Sequence, residues 1–266
     1  MRADDSSTGY DPSIPFCSKV YYSGETVNNY INFSNANFRI INVAENNCIK
    51  IISEKPLNKG YQWNSSLEID WYNSSLYNKI NTWVSQNKIG DNNDIQVDFN
   101  SEDSHVALAD FYVGAIRESA SSLIAEINYE RTETSTFSNG QSALWKSKLA
   151  IPCVTDYLKA CSSSSIYSIN TAQTHQVTFR NNCWMLLQGD DEWLINAKIP
   201  QFLDANAWHI ITGSSFNSIY VTITHDIRPI LYIKSDSIIS GDGTKASPFK
   251  VEENWEWFDS LYPTEM

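Results

Sequence analysis

The sequence predicts an α+β fold: a single domain of mostly short antiparallel strands with one or two helices. Three observations predict it. A hairpin pattern and an amphipathic helix come first, and short strand patterns with little helix follow; that order belongs to α+β rather than to alternating α/β domains. No repeat, long linker or low-complexity block divides the 266 residues, a length that can bury a core unaided. Near the carboxyl end an alternating strand pattern runs into a glycine-bearing turn and a last short strand.

Residues 1–15 predict a flexible lead-in, 16–251 the domain, and 252–266 an acidic, aromatic tail. Residues 30–53, YINFSNANFRIINVAENNCIKIIS, predict a hairpin. Phe38, Ile40 and Val43 alternate with polar neighbours, AENN turns, and Ile49, Ile51 and Ile52 begin the return strand. Leu76, Ile80, Trp83 and Val84 then recur on one helical face, with Ser74 or Ser75 as N-cap and Gly90 past the end. A shorter helix is expected over SSLIAEINYER (121–131), where Leu123, Ile124 and Ile127 share a face.

Residues 132–147 are polar and turn-like, KLAIPCV (148–154) predicts a short buried strand, and Thr155 caps a brief helix over DYLKA. After a long loop, strands are expected in NCWMLL, EWLINAK, AWHIIT, IYVTIT and RPILYIK. The first two pair across QGDD, the next two form a hairpin across GSSFNS, and RPILYIK lies beside them. Pro229 opens that last strand, where no ladder bond is lost. Ile230, Tyr232 and Ile233 pack inward, Gly241 and Gly243 supply positive φ in SGDGTKASP, and FKV is the final strand.

Lys and Arg number 19 against 31 Asp and Glu, a formal charge of −12. That surface repels phosphate backbones, so nucleic acid and anionic membrane are poor partners. No apolar run approaches the roughly 20 residues that span a bilayer, so direct membrane insertion is not expected. The first residues carry no secretory leader pattern, so the chain is either cytosolic or a mature fragment. Abundant Asn, Ser and Thr, with nine Trp, fourteen Tyr and eleven Phe, favour a fragment that works outside the cell or on its surface.

Cys161 and Cys183 bracket a Ser/Thr/Asn-rich loop that a disulfide would close, and Cys17 and Cys48, flanking the first strands, are a second candidate pair. Cys153 lies in an apolar run and suggests a buried thiol. The alternatives are two disulfides and a thiol, a single disulfide, or a zinc site from Cys153, Cys161, Cys183 and His175, whose spacing matches no common zinc pattern.

The order of several motifs resembles a large, uncharacterised domain family of Gram-positive bacteria, often found behind a prepilin-type leader or membrane anchor. The motifs are FRII (38–41), Trp71 before Ser-Ser-Leu and Ile80-Asn81, NYER (128–131), a Trp, KLAIPCVTDY (148–157), NNCW (181–184), RPILYIKS (228–235), SGDGT (240–244) and SPF (247–249). The resemblance spans about residues 30–251. Phe38 stands where the family usually has Trp, and Cys153 where it has a plain apolar residue. No prepilin helix is visible in the sequence. The resemblance implies a cell-surface protein with a fold similar to C-type lectins and formylglycine-generating enzymes. It implies no catalytic residue.

Chemical motifs are scarce. His105 lies near Asp103 and Asp110 in a loop, while His209 and His225 fit ordinary sheet positions. No GxSxG, paired-carboxylate or P-loop signature occurs. Asp190, Asp191 and Glu192 fit a solvated turn, and Asp236 and Asp242 a tight turn rather than a calcium site. No metal and no cofactor are expected. Trp193, Trp208, Trp255 and Trp257 are candidates for a stacking platform against sugar rings. The expected function is therefore a non-enzymatic surface binding or adhesion module of unknown ligand, with a glycan and a host surface protein as the candidates. A structural subunit of a surface filament, partnered by other pilin subunits, is the alternative, and an enzyme of unknown class the third.

Overall fold

A computed structural model describes residues 2–3, 18–34, 36–44, 48–57, 60–86, 89, 123–130, 144–187, 191–198, 205–211, 215–234 and 238–251. In chain order the first strands are β1 (Arg2–Ala3), β2 (Ser18–Tyr21), β3 (Tyr30–Phe33), β4 (Ala36–Ala44), β5 (Cys48–Ser53) and β6 (Tyr61–Gln62). A 3₁₀ turn (Trp71–Asn73) leads into α1 (Ser75–Ser85). Then come β7 (Ile124–Ala125), β8 (Ile127–Glu130), β9 (Leu144–Ser147) and β10 (Leu149–Ala150). Three short helices follow: α2 (Val154–Lys159), α3 (Ile169–Thr174) and α4 (Gln176–Asn182). The chain continues through β11 (Glu192–Ala197), β12 (Asn206–Ile210), β13 (Phe216–Tyr220), β14 (Thr224–His225), β15 (Ile230–Lys234), β16 (Ile238–Ser240) and β17 (Phe249–Val251).

The expected α+β class holds, in a single domain. The main sheet runs β10-β15-β5-β4-β3-β17-β16, with β2 beside β4, β1 beside β2, and β7 on β15. Its described pairings are antiparallel except β17 on β3. β5 is hydrogen-bonded on both sides and every residue of it is buried, as befits a central strand covered on both faces. In β4 the register slips between Ile40 and Asn42, and both Ile40 and Ile41 are buried; the bulge turns consecutive isoleucines inward. A smaller sheet, β11-β12-β13, is anchored to the segment after β6 by Trp63, whose indole N–H donates to Leu194 O at 3.0 Å. It is also tied through Ile195 N–H, which donates to Pro152 O at 2.9 Å.

α1 starts at the expected N-cap: Ser74 Oγ accepts from Tyr77 N–H at 3.0 Å, and Leu76, Ile80 and Trp83 are buried. Gly90 lies outside the described residues. The terminal bend also holds. Gly241 and Gly243 have φ of 92° and 77°, and a side chain on Gly241 would collide with the Pro248 carbonyl. Gly243 O accepts from Tyr30 N–H at 2.8 Å, which docks the bend on β3.

Several expectations are corrected. Residues 124–130 are strands, not a helix: Ile127 and Tyr129 are buried at period two, and the edges of β15 and β9 satisfy their backbone. Leu144–Ser147 is strand β9 rather than a turn. NCWMLL forms no strand; β11 pairs with β12 instead. β13 begins at Phe216, so the hairpin loop is shorter than GSSFNS. β15 lies between β5 and β10, not beside the β12–β13 hairpin. The N-cap of α2 is Cys153 rather than Thr155, with the Asp156 carboxylate accepting from Cys153 N–H at 3.0 Å. The long loop carries α3 and α4. Most of the lead-in and the whole tail 252–266 lie outside the described residues. Among the described residues, no helix is long and apolar enough to cross a membrane.

Candidate functional site

Cys161 and Cys183 form a disulfide, as the sequence suggested, and it closes the excursion that carries α3 and α4. Backbone bonds reinforce the neck. Ser162 N–H donates to Asn182 O at 3.2 Å, Gly24 N–H to Ala160 O at 3.0 Å, and Trp184 N–H to Gly24 O at 2.8 Å. Ser168 and Thr171 cap the start of α3 reciprocally. Ala172 and Phe179 face inward, and the Phe179 ring packs 5.2 Å from that of Phe216 on β13. Two large apolar side chains point outward: Tyr167 is 74% and Val177 62% exposed. The disulfide also removes two ligands from the four-residue zinc alternative.

A second feature was not legible in the sequence. Asp191, His209 and His225, from three separate segments, place one ligand atom each within 4.8 Å of one another. Topology assembles them. Trp193 on β11 faces His209 on β12, and β14 pairs His225 with Tyr61 on β6. Asp226 is tied to β11 at both backbone atoms: its N–H donates to Asp191 O at 2.9 Å, and its O accepts from Trp193 N–H at 2.8 Å. The Trp193 indole donates to Tyr61 O at 2.7 Å and forms one wall. The two imidazoles stack, with centroids 4.6 Å apart and planes at 6°. Each also meets Trp193 edge-on, at 5.9 Å for His209 and 4.6 Å for His225.

His209 is 2% exposed. Its Nδ1 lies 3.5 Å from Asp191 Oδ2, within ion-pair range but not a hydrogen bond. Both His209 ring nitrogens and His225 Nε2 are buried without a hydrogen-bond partner. Burial and the neighbouring His225 push His209 down to about 4 against the opposing pull of Asp191, and burial lowers His225 as well. The unfolded chain therefore binds these protons more tightly than the folded one. With chelator present, stability should be full above the ordinary value of 6.5 and fall as pH drops toward about 4, by about 3 kcal/mol for His209. Urea midpoints across that range test this: His209→Gln should flatten the fall, and an equally steep fall in the variant would refute the assignment.

The aromatic candidates do not share one surface. Trp193 is fully buried and cannot present its face to a sugar. Trp208 is half-buried, with the Lys198 ammonium 5.6 Å from its ring centroid. Trp208 adjoins His209, which faces Trp193, so strand alternation sends the two tryptophans to opposite faces. Trp255, Trp257, Cys17 and His105 lie outside the described residues, which leaves the Cys17–Cys48 pairing undescribed. His175 is exposed on the α3–α4 junction, its Nδ1 3.1 Å from Thr171 O. Asp242 is spent on the turn, accepting from Thr244 N–H at 3.0 Å.

Two buried ionic groups hold the scaffold beneath these features. Lys50 pairs with Asp156, whose other oxygen lies 3.3 Å from Cys153 Sγ. Burial is the largest influence and would lower the Lys50 ammonium, but Asp156, Cys153 and Tyr21 together outweigh it and hold it above its ordinary value. Arg228 Nε donates to Glu192 Oε2 at 2.8 Å, and its Nη2 reaches Tyr157 Oη at 2.7 Å and the Met185 carbonyl. Tyr157 Oη donates to the same carboxylate oxygen at 2.7 Å. No protein-family model, curated protein or solved structure matches this chain.

Proposed function

We propose that this chain is a non-enzymatic binding module working outside the cytoplasm, of the kind displayed by the Gram-positive surface family its motifs resemble. One observation carries the reading: a disulfide-closed excursion holds Tyr167 and Val177 outward on a packed base. Disulfides persist in oxidising compartments, and binding residues concentrate on loops that a rigid scaffold positions. A tyrosine offers a large apolar face and a hydroxyl at low entropic cost, which suits a glycan or a protein surface. The Cys161–Cys183 bond limits the conformations of that surface before binding, and preorganisation of this kind favours affinity.

The test is a binding screen with oxidised protein, on a glycan array and on immobilised extracellular-matrix proteins. Wild type should bind at least one class, and the Tyr167→Ala, Val177→Ser double variant should lose that binding while keeping its melting temperature. Silence on both platforms, or binding that survives the double substitution, would reject the excursion as the binding surface.

A further inference from the structure

We propose that Asp191, His209 and His225 form a binding site for one first-row divalent transition-metal ion of the zinc class. The donor set is the first argument. Two imidazoles and one carboxylate suit zinc and its neighbours, whereas calcium and magnesium take oxygen donors almost throughout. Three protein ligands leave one coordination position for water or for an acidic group of a partner.

The unpartnered nitrogens are the second, independent argument. Buried polar atoms are nearly always hydrogen-bonded, yet both His209 nitrogens and His225 Nε2 have no such partner. A metal ion would satisfy one nitrogen on each ring. Placement is the third. Backbone bonds lock Asp226, next to His225, onto the start of β11, so the ligand-bearing segments are held before any ion arrives. The Asp191 side chain is 30% exposed and stands at the open side, while the His209 side chain, 3% exposed, lies within.

Coordination has one structural requirement. The rings stack at 6°, and lone pairs lying in parallel planes do not converge on one point. The imidazoles must turn out of the stack about their Cβ–Cγ bonds, with Asp191 closing from outside. Metal binding therefore breaks the ring stack, and the change is visible in histidine side-chain NMR signals.

The experiment uses the full chain, stripped with chelator and titrated with Zn²⁺ by calorimetry and with Co²⁺ by visible absorption. One equivalent of Zn²⁺ should bind, Co²⁺ should give an intense tetrahedral-type spectrum, and Mg²⁺ and Ca²⁺ should not compete. Asp191→Asn and His225→Gln should each weaken Zn²⁺ at least about tenfold, since even outer-shell partners are worth that much. His175→Gln, at the exposed histidine, should bind as wild type. Because Asp191 is on the open side, its variant is the one least exposed to a folding failure, and circular dichroism checks that it folds. No saturable binding by wild type, or affinity unchanged in Asp191→Asn and His225→Gln, would overturn the proposal.

Discussion

Arg228→Leu is expected to destabilise the folded chain by about 3–5 kcal/mol, the cost of leaving one member of a buried ion pair without its partner. The Glu192 side chain is 3% exposed and that of Arg228 1%. One carboxylate oxygen accepts from both Arg228 Nε and Tyr157 Oη. Burial alone would lower the Arg228 guanidinium, but Glu192 and Tyr157 outweigh it and hold it above its ordinary value. The group joins three parts of the fold: Tyr157 lies on α2, Glu192 opens β11, and Arg228 precedes β15. Removing the cation strands a carboxylate in a dry site. Removing all three polar groups, in Arg228→Leu, Glu192→Leu, Tyr157→Phe, should recover most of the loss, because no charge is then left uncompensated. Urea denaturation measures both. A single variant within about 1 kcal/mol of wild type would show that water reaches the site, and the buried-pair account would fail.

Replacing Cys161 and Cys183 together by serine should cost about 3 kcal/mol, the chain-entropy estimate for a closed loop of 22 residues. The loss has a local character. α3 and α4 are six and seven residues long, too short to persist in water without tertiary support. Hydrogen exchange in 162–182 should therefore accelerate far more than in β5 or β15. Peptide mapping before and after reduction should show the two added hydrogens of the opened Cys161–Cys183 bond. Exchange that rises equally across the main sheet would contradict an excursion stabilised by its own clasp.

These two predictions rest on residues of unequal visibility in the sequence. The Cys161–Cys183 pair was legible because two cysteines bracketed a polar segment. Tyr157 and Arg228 lay within the VTDY and RPILYIK motifs, but neither motif says that they meet. α1 was legible because its apolar spacing fits only a helix and a serine stands at its cap. The terminal bend was legible because glycine alone takes its positive φ without strain. Ile124 and Ile127 were misread because a spacing of three suits a helix face, while the available edges of β15, for Ile124, and of β9, for Ile127, decided for strand.

By itself, then, the sequence determined the α+β class, the first helix, the β4–β5 hairpin, the disulfide and the closing turn. Each depends on neighbours along the chain: periodicity, a cap, a turn residue, a bracketed loop. Tertiary structure alone decided that β15 lies between β5 and β10, that Trp193 is buried away from Trp208, and that Asp191, His209 and His225 converge. Those facts depend on which strand edges pair, and pairing is set by burying apolar faces from distant segments together. No local pattern in a single segment records that choice.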